Sequence, residues 1–280
     1  MDSDLVTVTM PYWGVGADVR RAVDSILGQT HRNVQLVVVN DHDVDDPPWP
    51  YLADITDPRL IRFDLRENRG RYFVDQVIFE ATQPAWWALQ DPDDAAFPRR
   101  FEIMLERAQG KGMAVAPRVE YWPGGKTVHT AGKAAFGRRP EPNRMVHIEG
   151  YGSAVISGER VAAAGGFHAD VRISYDSYLM NACVAQGGVG MHPEPLQHKY
   201  RLNPNSLTQA PATRLGSPER IRVRALLEQM WIRAWQRWQQ GLEIASVVRD
   251  AVSEETREAA SRYAAELAAV IAAQQAEVSG

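Results

Sequence analysis

Short apolar runs alternate with helical patterns through the first hundred residues, and this alternation restricts the fold more than any other feature. The run VQLVVVN at residues 34–40 is apolar enough to be a strand buried on both faces. The earlier run LVTVTM is also typical of a strand, and ADVRRAVDSIL between them places its apolar residues on one helical stripe. The alternation predicts an α/β protein, Rossmann-like, with a mostly parallel sheet and flanking helices.

The chain beyond this region divides into two further parts. Residues 113–215 contain shorter strand and helix patterns broken by glycine and proline. A long helical pattern then begins near Ser217, a suitable N-cap, with Pro218 in the first turn. We therefore expect one domain at residues 1–215, formed by halves 1–112 and 113–215, and a C-terminal helical segment at 216–280.

Composition excludes several classes of partner. The net charge of −4 argues against general affinity for nucleic acid. No apolar run reaches the length of a membrane span. The single cysteine, Cys183, cannot form an internal disulfide, and the N-terminus enters a strand pattern without a signal peptide, so we expect a cytoplasmic protein.

Three aspartates, Asp91, Asp93 and Asp94, follow the strand pattern of AWWALQ in the segment QDPDDAAFPRR. Asp41 likewise follows the strand at residues 34–40. Ligands of parallel sheets bind beyond the carboxyl ends of the strands, so both groups should face one crevice. Crowded carboxylates repel one another unless a cation lies between them, and Mg²⁺ or Mn²⁺ prefers such oxygen ligands. Turn-forming aspartates at a helix start are the simpler alternative.

The motifs and their order resemble those of the family-2 glycosyltransferases, which have the GT-A fold. MPYWG, SILGQT and VVVNDHD are similar to the family's opening segments, and QDPDDAAFPRRFE is similar to its metal-binding motif. GGFHADVRISYDSYL and KYRLNPNS are similar to two later motifs. The resemblance covers about the first two hundred residues. It implies a nucleotide-sugar-binding half at 1–112 and an acceptor-binding half at 113–215.

The resemblance implies transfer of a sugar from a UDP- or dTDP-linked donor to a hydroxyl of a small molecule or glycan. Asp41 would accept a hydrogen bond from the base, Arg71 would reach the base or diphosphate, and Asp91 would lie near the sugar or ribose. Asp93 and Asp94 would hold Mg²⁺ or Mn²⁺ against the diphosphate. The first strand would add Pro11 and Tyr12 to the nucleotide-sugar site.

The resemblance also implies a catalytic base, Asp176, which would deprotonate the acceptor hydroxyl in a single inverting displacement. Asp170 is the next candidate. His198 could be a third metal ligand or a diphosphate contact, although a histidine beside Lys199 and Arg201 is more often a surface residue. Lys199 and Arg201 could instead offset diphosphate charge.

The sequence departs from the family pattern at four positions. Gly14 replaces an asparagine, Asn40 an aspartate, Tyr175 an acidic residue and Asn203 a histidine. These departures leave open a non-catalytic GT-A-like protein used for binding or assembly.

Two further alternatives remain at the level of sequence. An NAD(P)-dependent oxidoreductase would use GVGADV as a partial dinucleotide fingerprint, although Val19 stands where its third glycine belongs. The C-terminal segment could support a homodimer, because its apolar residues share one helical face. These residues are Val223, Leu227, Met230, Trp231, Trp235 and Trp238. Packing of that face against its own domain is the alternative.

Overall fold

The computed structural model describes residues 4–130, 140–146, 148, 151–203, 206–207 and 209–279. Its strands are short, and β1, β2 and β4 begin and end close to the apolar runs of the sequence. In chain order they are β1 (Val6–Tyr12), β2 (Val34–Asn40), β3 (Leu60–Asp64), β4 (Trp86–Leu89), β5 (Ala95–Ala96), β6 (Met113–Val115), β7 (Arg118–Tyr121), β8 (Thr127–His129), β9 (Val155–Ser157), β10 (Gly190–Met191) and β11 (Gln197–Tyr200).

The α-helices follow the predicted amphipathic segments. They are α1 (Asp18–Leu27), α2 (Arg71–Thr82), α3 (Arg100–Ala108), α4 (Gly158–Ala163), α5 (Tyr175–Ala185), α6 (Pro218–Gln239), α7 (Ala245–Ala251) and α8 (Glu254–Ser279). Helix α6 begins where the capping signal predicts, since the Ser217 side chain accepts a hydrogen bond from the Arg220 N–H.

The central sheet confirms the predicted α/β architecture. Its seven strands run in the order β10-β6-β9-β4-β1-β2-β3. Neighbours pair parallel except at β9, which is antiparallel to β4 and β6. Alternate residues of β2 enter opposite cores: Leu36 and Val38 join one with α1 and α3, and Val37 and Val39 join the other with α2 and α5. Both faces are covered, which explains the continuous apolar run.

A smaller sheet lies beside the carboxyl edge, in the order β5-β11-β7-β8. The predicted turn between two strands in YWPGGKTVH is confirmed, because β7 and β8 form an antiparallel pair around it. Strand β11 pairs antiparallel with β5, with His198 opposite Ala95. This pairing brings the KYR segment next to the aspartate motif.

The C-terminal helices share the core of the domain. Val223, Leu227, Met230 and Trp231 on α6 are buried in the same cluster as α2 and α5, and the Trp231 Nε1–H donates to the Glu141 carbonyl at 2.7 Å. The apolar face that suggested a homodimer is therefore largely covered by its own domain, and the dimer loses that support. Trp238 is still 44% exposed.

Helix α8 makes its main packing contact with α2. The Tyr263 ring meets Phe63 and Phe73 edge-on, and its hydroxyl accepts a hydrogen bond from the Arg66 N–H at 3.0 Å. Within the described ranges, no helix has both the length and the apolar character that crossing a membrane requires.

Candidate active site

A cavity of about 450 Å³ opens at the carboxyl ends of β1, β2 and β4. The structure brings together at this cavity all the residues predicted to bind a nucleotide sugar, namely Pro11, Tyr12, Asp41, Arg71, Asp91 and Asp93. A larger cavity of about 670 Å³ lies between α2 and the C-terminal helices and contains none of these residues. We take the strand-edge cavity as the candidate site, because ligands of such sheets bind at this edge.

Asp41 organises the turn that leads into α2. Its two carboxylate oxygens accept hydrogen bonds from the backbone N–H groups of Arg69 and Gly70, at 2.7 and 2.8 Å. Burial raises the pKa of Asp41 to about 6, although these two hydrogen bonds oppose the rise. Each carboxylate oxygen can accept a further hydrogen bond, so Asp41 is still able to receive a ligand N–H.

Arg71 begins α2 and bridges two acidic residues. Its Nη1 lies 3.1 Å from Asp91 Oδ1, and its Nε lies 3.9 Å from Asp75 Oδ2. The Asp75 side chain is fully buried and accepts a hydrogen bond from Thr9 at 2.7 Å. Within the described chain, Arg71 Nε and Nη2 have no hydrogen-bond partner. Both nitrogens are buried, so what Arg71 offers a ligand in the cavity is its positive charge beside Asp91.

The protein itself supplies cations to the aspartate cluster, so part of the negative charge is offset without an external ion. Lys199 Nζ lies 3.0 Å from Asp91 Oδ2 and 3.1 Å from Asp94 Oδ2. Burial opposes ionisation of Asp91, but Lys199 and Arg71 outweigh it and hold its pKa well below the usual range. For Asp94 burial dominates and raises the pKa, and the charges of Asp91 and Asp93 act in the same direction.

His198 points away from the aspartates, because successive side chains of a strand lie on opposite faces and Lys199 occupies the aspartate side. Its ring stacks on Phe97 with centroids 4.0 Å apart, and its Nδ1 is 2.9 Å from the Tyr121 hydroxyl. In the described ranges no three His, Cys, Asp or Glu side chains are grouped as metal ligands. The expected grouping of Asp93, Asp94 and His198 around one ion is therefore not present.

The donor set fits a divalent cation through Asp93. Asp93 lines the cavity and forms no ion pair with another described residue, whereas Asp94 is 2% exposed and engaged by Lys199 and the Tyr200 N–H. Mg²⁺ in proteins commonly uses one or two carboxylates and completes its shell with substrate phosphates and water. One carboxylate facing the cavity, with a second beside it, meets that requirement.

Asp176 is positioned by Tyr72 at the start of α5. The Tyr72 hydroxyl donates to Asp176 Oδ1 at 3.1 Å and accepts from the Asp176 N–H at 3.2 Å. Asp176 is partly exposed but is not among the residues lining the cavity. Tyr72 follows Arg71 directly, so α2 links Asp176 to the aspartate cluster. The alternative base Asp170 instead accepts hydrogen bonds from Ser253 and Thr256, just before and within α8.

Sequence reasoning missed Arg172 and Asn68, which also line the cavity. Arg172 Nη2 donates to the Asn68 carbonyl at 2.7 Å, and both residues line the cavity. The departure Asn203 also lines it. Arg172 lies four residues before Asp176 in the motif GGFHADVRISYDSYL. Its positive charge was the sequence signal that could have indicated a role at the cavity. Residues 204–205 of the KYRLNPNS motif lie outside the described chain.

The glycine turn after β1 does not suit a dinucleotide pyrophosphate. The Gly14 N–H donates to Asp43 Oδ2 at 2.8 Å, and a Cβ added at Gly16 would lie 3.3 Å from an Asp46 oxygen. Carboxylates therefore occupy the region where the oxidoreductase hypothesis would place phosphate groups, and like charges repel there.

The family model described as Glycosyl transferase family 2 matches residues 7–158. The chain belongs to glycosyltransferase family 2. The matched segment contains β2 to β9, nearly all of β1 and the whole aspartate motif.

Two curated relatives of this family-2 chain match only part of its length. The succinoglycan biosynthesis protein ExoO of Rhizobium meliloti is 33% identical over 111 residues, covering 40% of this chain and 32% of that protein. The putative colanic acid biosynthesis glycosyl transferase WcaA of Escherichia coli is 25% identical over 109 residues, 39% of each chain. The matches thus span about a third of ExoO and somewhat more of WcaA.

Solved structures match over more of the family-2 chain. Staphylococcus aureus TarS 1–349 in complex with UDP-GlcNAc superposes with a TM-score of 0.58, 10% identity, and coverage of 95% of this chain and 81% of that chain. At this identity the likeness establishes the fold, which confirms the GT-A expectation.

Proposed function

We propose that the protein is a metal-dependent, inverting transferase that moves a sugar from a UDP- or dTDP-linked donor to a hydroxyl acceptor. The observation that carries this proposal is the cavity at the strand edge, where Asp41, Asp91 and Asp93 face Arg71 and Lys199. Carboxylates suit the hydroxyls and N–H groups of a nucleotide sugar, and the cations suit its diphosphate. UDP-GlcNAc bound to TarS in the same fold supports the choice of a uridine nucleotide.

The donor's parts are assigned to these side chains as the family resemblance implies, and the presence of all of them at one cavity supports the assignment. Asp41 accepts the N–H of a uracil or thymine base, next to Pro11 and Tyr12. Asp91, held by Arg71 and Lys199, faces the sugar or ribose hydroxyls. Arg71 lines the cavity, and its positive charge is assigned to the diphosphate or the base. A preformed set of this kind stabilises charge as it develops on the leaving nucleoside diphosphate.

Asp93 is proposed as the carboxylate that holds Mg²⁺ or Mn²⁺ together with the donor's phosphates. Asp94 becomes a second ligand only when Lys199 releases it, and His198 retains at most an indirect role through its stacking on Phe97. A divalent ion bound there would take up negative charge on the diphosphate leaving group. The protein's own contribution is to keep the carboxylates in place before the donor arrives.

Asp176 is proposed as the base that accepts the proton of the acceptor hydroxyl as its oxygen attacks the anomeric carbon. Tyr72 fixes the carboxylate through Oδ1, which leaves Oδ2 for the acceptor. One base and one displacement give inversion at that carbon. General-base assistance of this kind contributes about 10²- to 10⁴-fold to the rate.

The acceptor is proposed to be a small molecule or a glycan. The names of ExoO and WcaA, which refer to succinoglycan and colanic acid biosynthesis, support a growing polysaccharide as one acceptor class. A cytoplasmic location is part of the proposal and is supported by the single, buried Cys183.

The test is a thermal-shift titration with UDP, dTDP and NAD⁺, each with and without Mg²⁺ or Mn²⁺. A ligand at one hundred times its dissociation constant adds about 2.7 kcal/mol to the stability of the folded state. We expect UDP or dTDP with metal to raise the melting temperature of the wild-type protein and to have much less effect on Asp93→Asn. Stabilisation by NAD⁺ alone would contradict the proposal.

A further inference from the structure

Lys199 holds the two aspartates that flank the cavity-facing Asp93. Its ammonium lies between Asp91 Oδ2 and Asp94 Oδ2, at 3.0 and 3.1 Å. The remaining oxygens are also engaged, because Arg71 donates to Asp91 Oδ1 at 3.1 Å and the Tyr200 N–H donates to Asp94 Oδ1 at 2.9 Å. Every oxygen of Asp91 and Asp94 thus has a partner within the protein.

The position of Lys199 is fixed by the backbone. Strand β11 pairs with β5, which begins directly after Asp94, and with β7 on its other side. Lys199 is therefore held against the motif by two strands and is not a mobile surface side chain. A divalent cation that used Asp91 or Asp94 as a ligand beside Asp93 would require the carboxylate oxygens that the Lys199 ammonium holds.

We propose that Lys199 is an internal counter-ion that competes with the divalent metal, so that the free enzyme binds metal weakly and metal enters together with the nucleotide. This inference rests on the proposed function. Of the three carboxylates, Asp91 and Asp94 are already paired with Lys199, so the free site offers a divalent ion only the carboxylate of Asp93. A diphosphate brings additional negative charge and its own oxygen ligands, which lets metal and Lys199 share the site.

The experiment measures Mn²⁺ binding by electron paramagnetic resonance without nucleotide, for the wild type, Lys199→Met and Lys199→Arg. Removing one cation that contacts two carboxylates should tighten Mn²⁺ binding by about one to two powers of ten in Lys199→Met. Lys199→Arg keeps the charge and should remain close to the wild type. Arg201→Met is the matched control, because Arg201 lies on the same flank but its guanidinium pairs with Glu120 at 2.8 Å; it should leave Mn²⁺ affinity unchanged.

Mn²⁺ affinity of Lys199→Met equal to or below that of the wild type would overturn the proposal, as would equal tightening in Arg201→Met. If Lys199→Met does not fold, the double variant Lys199→Met/Asp91→Asn replaces it. That variant preserves the net charge and frees Asp94, so the proposal again requires tighter Mn²⁺ binding than in the wild type, and unchanged binding would refute it.

A second arm adds UDP to the wild-type protein and should tighten Mn²⁺ binding about tenfold or more, since the diphosphate supplies ligands and charge. Failure of UDP and dTDP to bind the wild type under any metal condition would contradict the proposed function. Normal nucleotide binding combined with an unaltered Mn²⁺ affinity in Lys199→Met would contradict the competition alone.

Discussion

The Asp41 carboxylate should make donor binding depend on pH in a defined window. If the ionised carboxylate accepts the N–H of the base, binding requires loss of its proton. Burial raises the pKa of Asp41 to about 6. The ionised fraction then falls from about nine-tenths near pH 7 to about one-tenth near pH 5, so donor affinity should fall about tenfold across that range.

The raised pKa of Asp41 also determines how the stability of the folded protein changes with pH. Since the folded-state pKa lies above the ordinary value of 3.8, the folded protein binds more protons than the unfolded chain between about pH 4 and pH 6. The contribution of Asp41 to stability therefore decreases as pH rises through that window. Donor affinity should change in the opposite direction. This difference separates loss of the Asp41 hydrogen bond to the nucleobase from acid unfolding of the protein.

The assay is calorimetric titration with a nucleotide sugar from about pH 5 to pH 8, because its diphosphate diester does not titrate there, unlike UDP. Asp41→Asn is the matched variant. It cannot ionise, and its amide N–H₂ would face one of the backbone donors of Arg69 and Gly70, at a cost of about 1–3 kcal/mol in stability. Its donor affinity should be low at every pH.

Two results would refute this reasoning about Asp41. One is a wild-type affinity that stays constant across the range. The other is an Asp41→Asn variant that keeps the full tenfold pH dependence, which would assign the titration to another carboxylate of the cavity. Asp94 is the principal competitor, since burial also raises its pKa.

Three further outcomes follow from the structure. Asp176→Asn should keep donor affinity and lower turnover by about two to four powers of ten; near-normal turnover would place the base elsewhere. Tyr72→Phe should cost about 0.5–1.5 kcal/mol in denaturant unfolding and also lower turnover, whereas Tyr51→Phe, which removes a hydroxyl contact with Asp46, should affect stability alone. Truncation after residue 216 should give aggregated protein on gel filtration, because each buried side chain of α6 contributes about 1.5–3 kcal/mol; a soluble, monomeric fragment would contradict the shared core.

The fold could be predicted from the first hundred residues because each element there carries a complete local signal. The run at β2 is apolar on both faces, and parallel strands inside an α/β domain are covered on both faces. The rule that ligands bind at the carboxyl edge then placed Asp41 and Asp91 at one cavity without any knowledge of side-chain contacts.

The pairing of Lys199 with the aspartate cluster could not be predicted, because Lys199 meets Asp91 across 108 residues of sequence. Strand β11 reads QHKY, which contains no apolar alternation to show which side chains face the motif. The sequence suggested His198 as a ligand beside the aspartates and Lys199 only as a partner of the diphosphate, whereas the structure pairs Lys199 with the aspartates. The contact of Tyr72 with Asp176 spans 104 residues and is equally invisible in the sequence.

The sequence left open, for a different reason, which surface covers the apolar face of α6. An apolar stripe at helical spacing on α6 indicates burial but does not identify the covering surface. The partners of Trp231, the Tyr178 ring and the Glu141 carbonyl, belong to the same chain. Only the tertiary structure distinguishes this packing from a subunit interface.

The most direct test of sugar transfer is proton nuclear magnetic resonance of a UDP- or dTDP-sugar incubated with the protein and Mg²⁺, with water as the acceptor. We expect the first sugar released to have the anomeric configuration opposite to that of the donor, and we expect Asp176→Asn to slow the release by about two to four powers of ten. Release with retained configuration, or equal rates in the wild type and Asp176→Asn, would contradict the proposed mechanism.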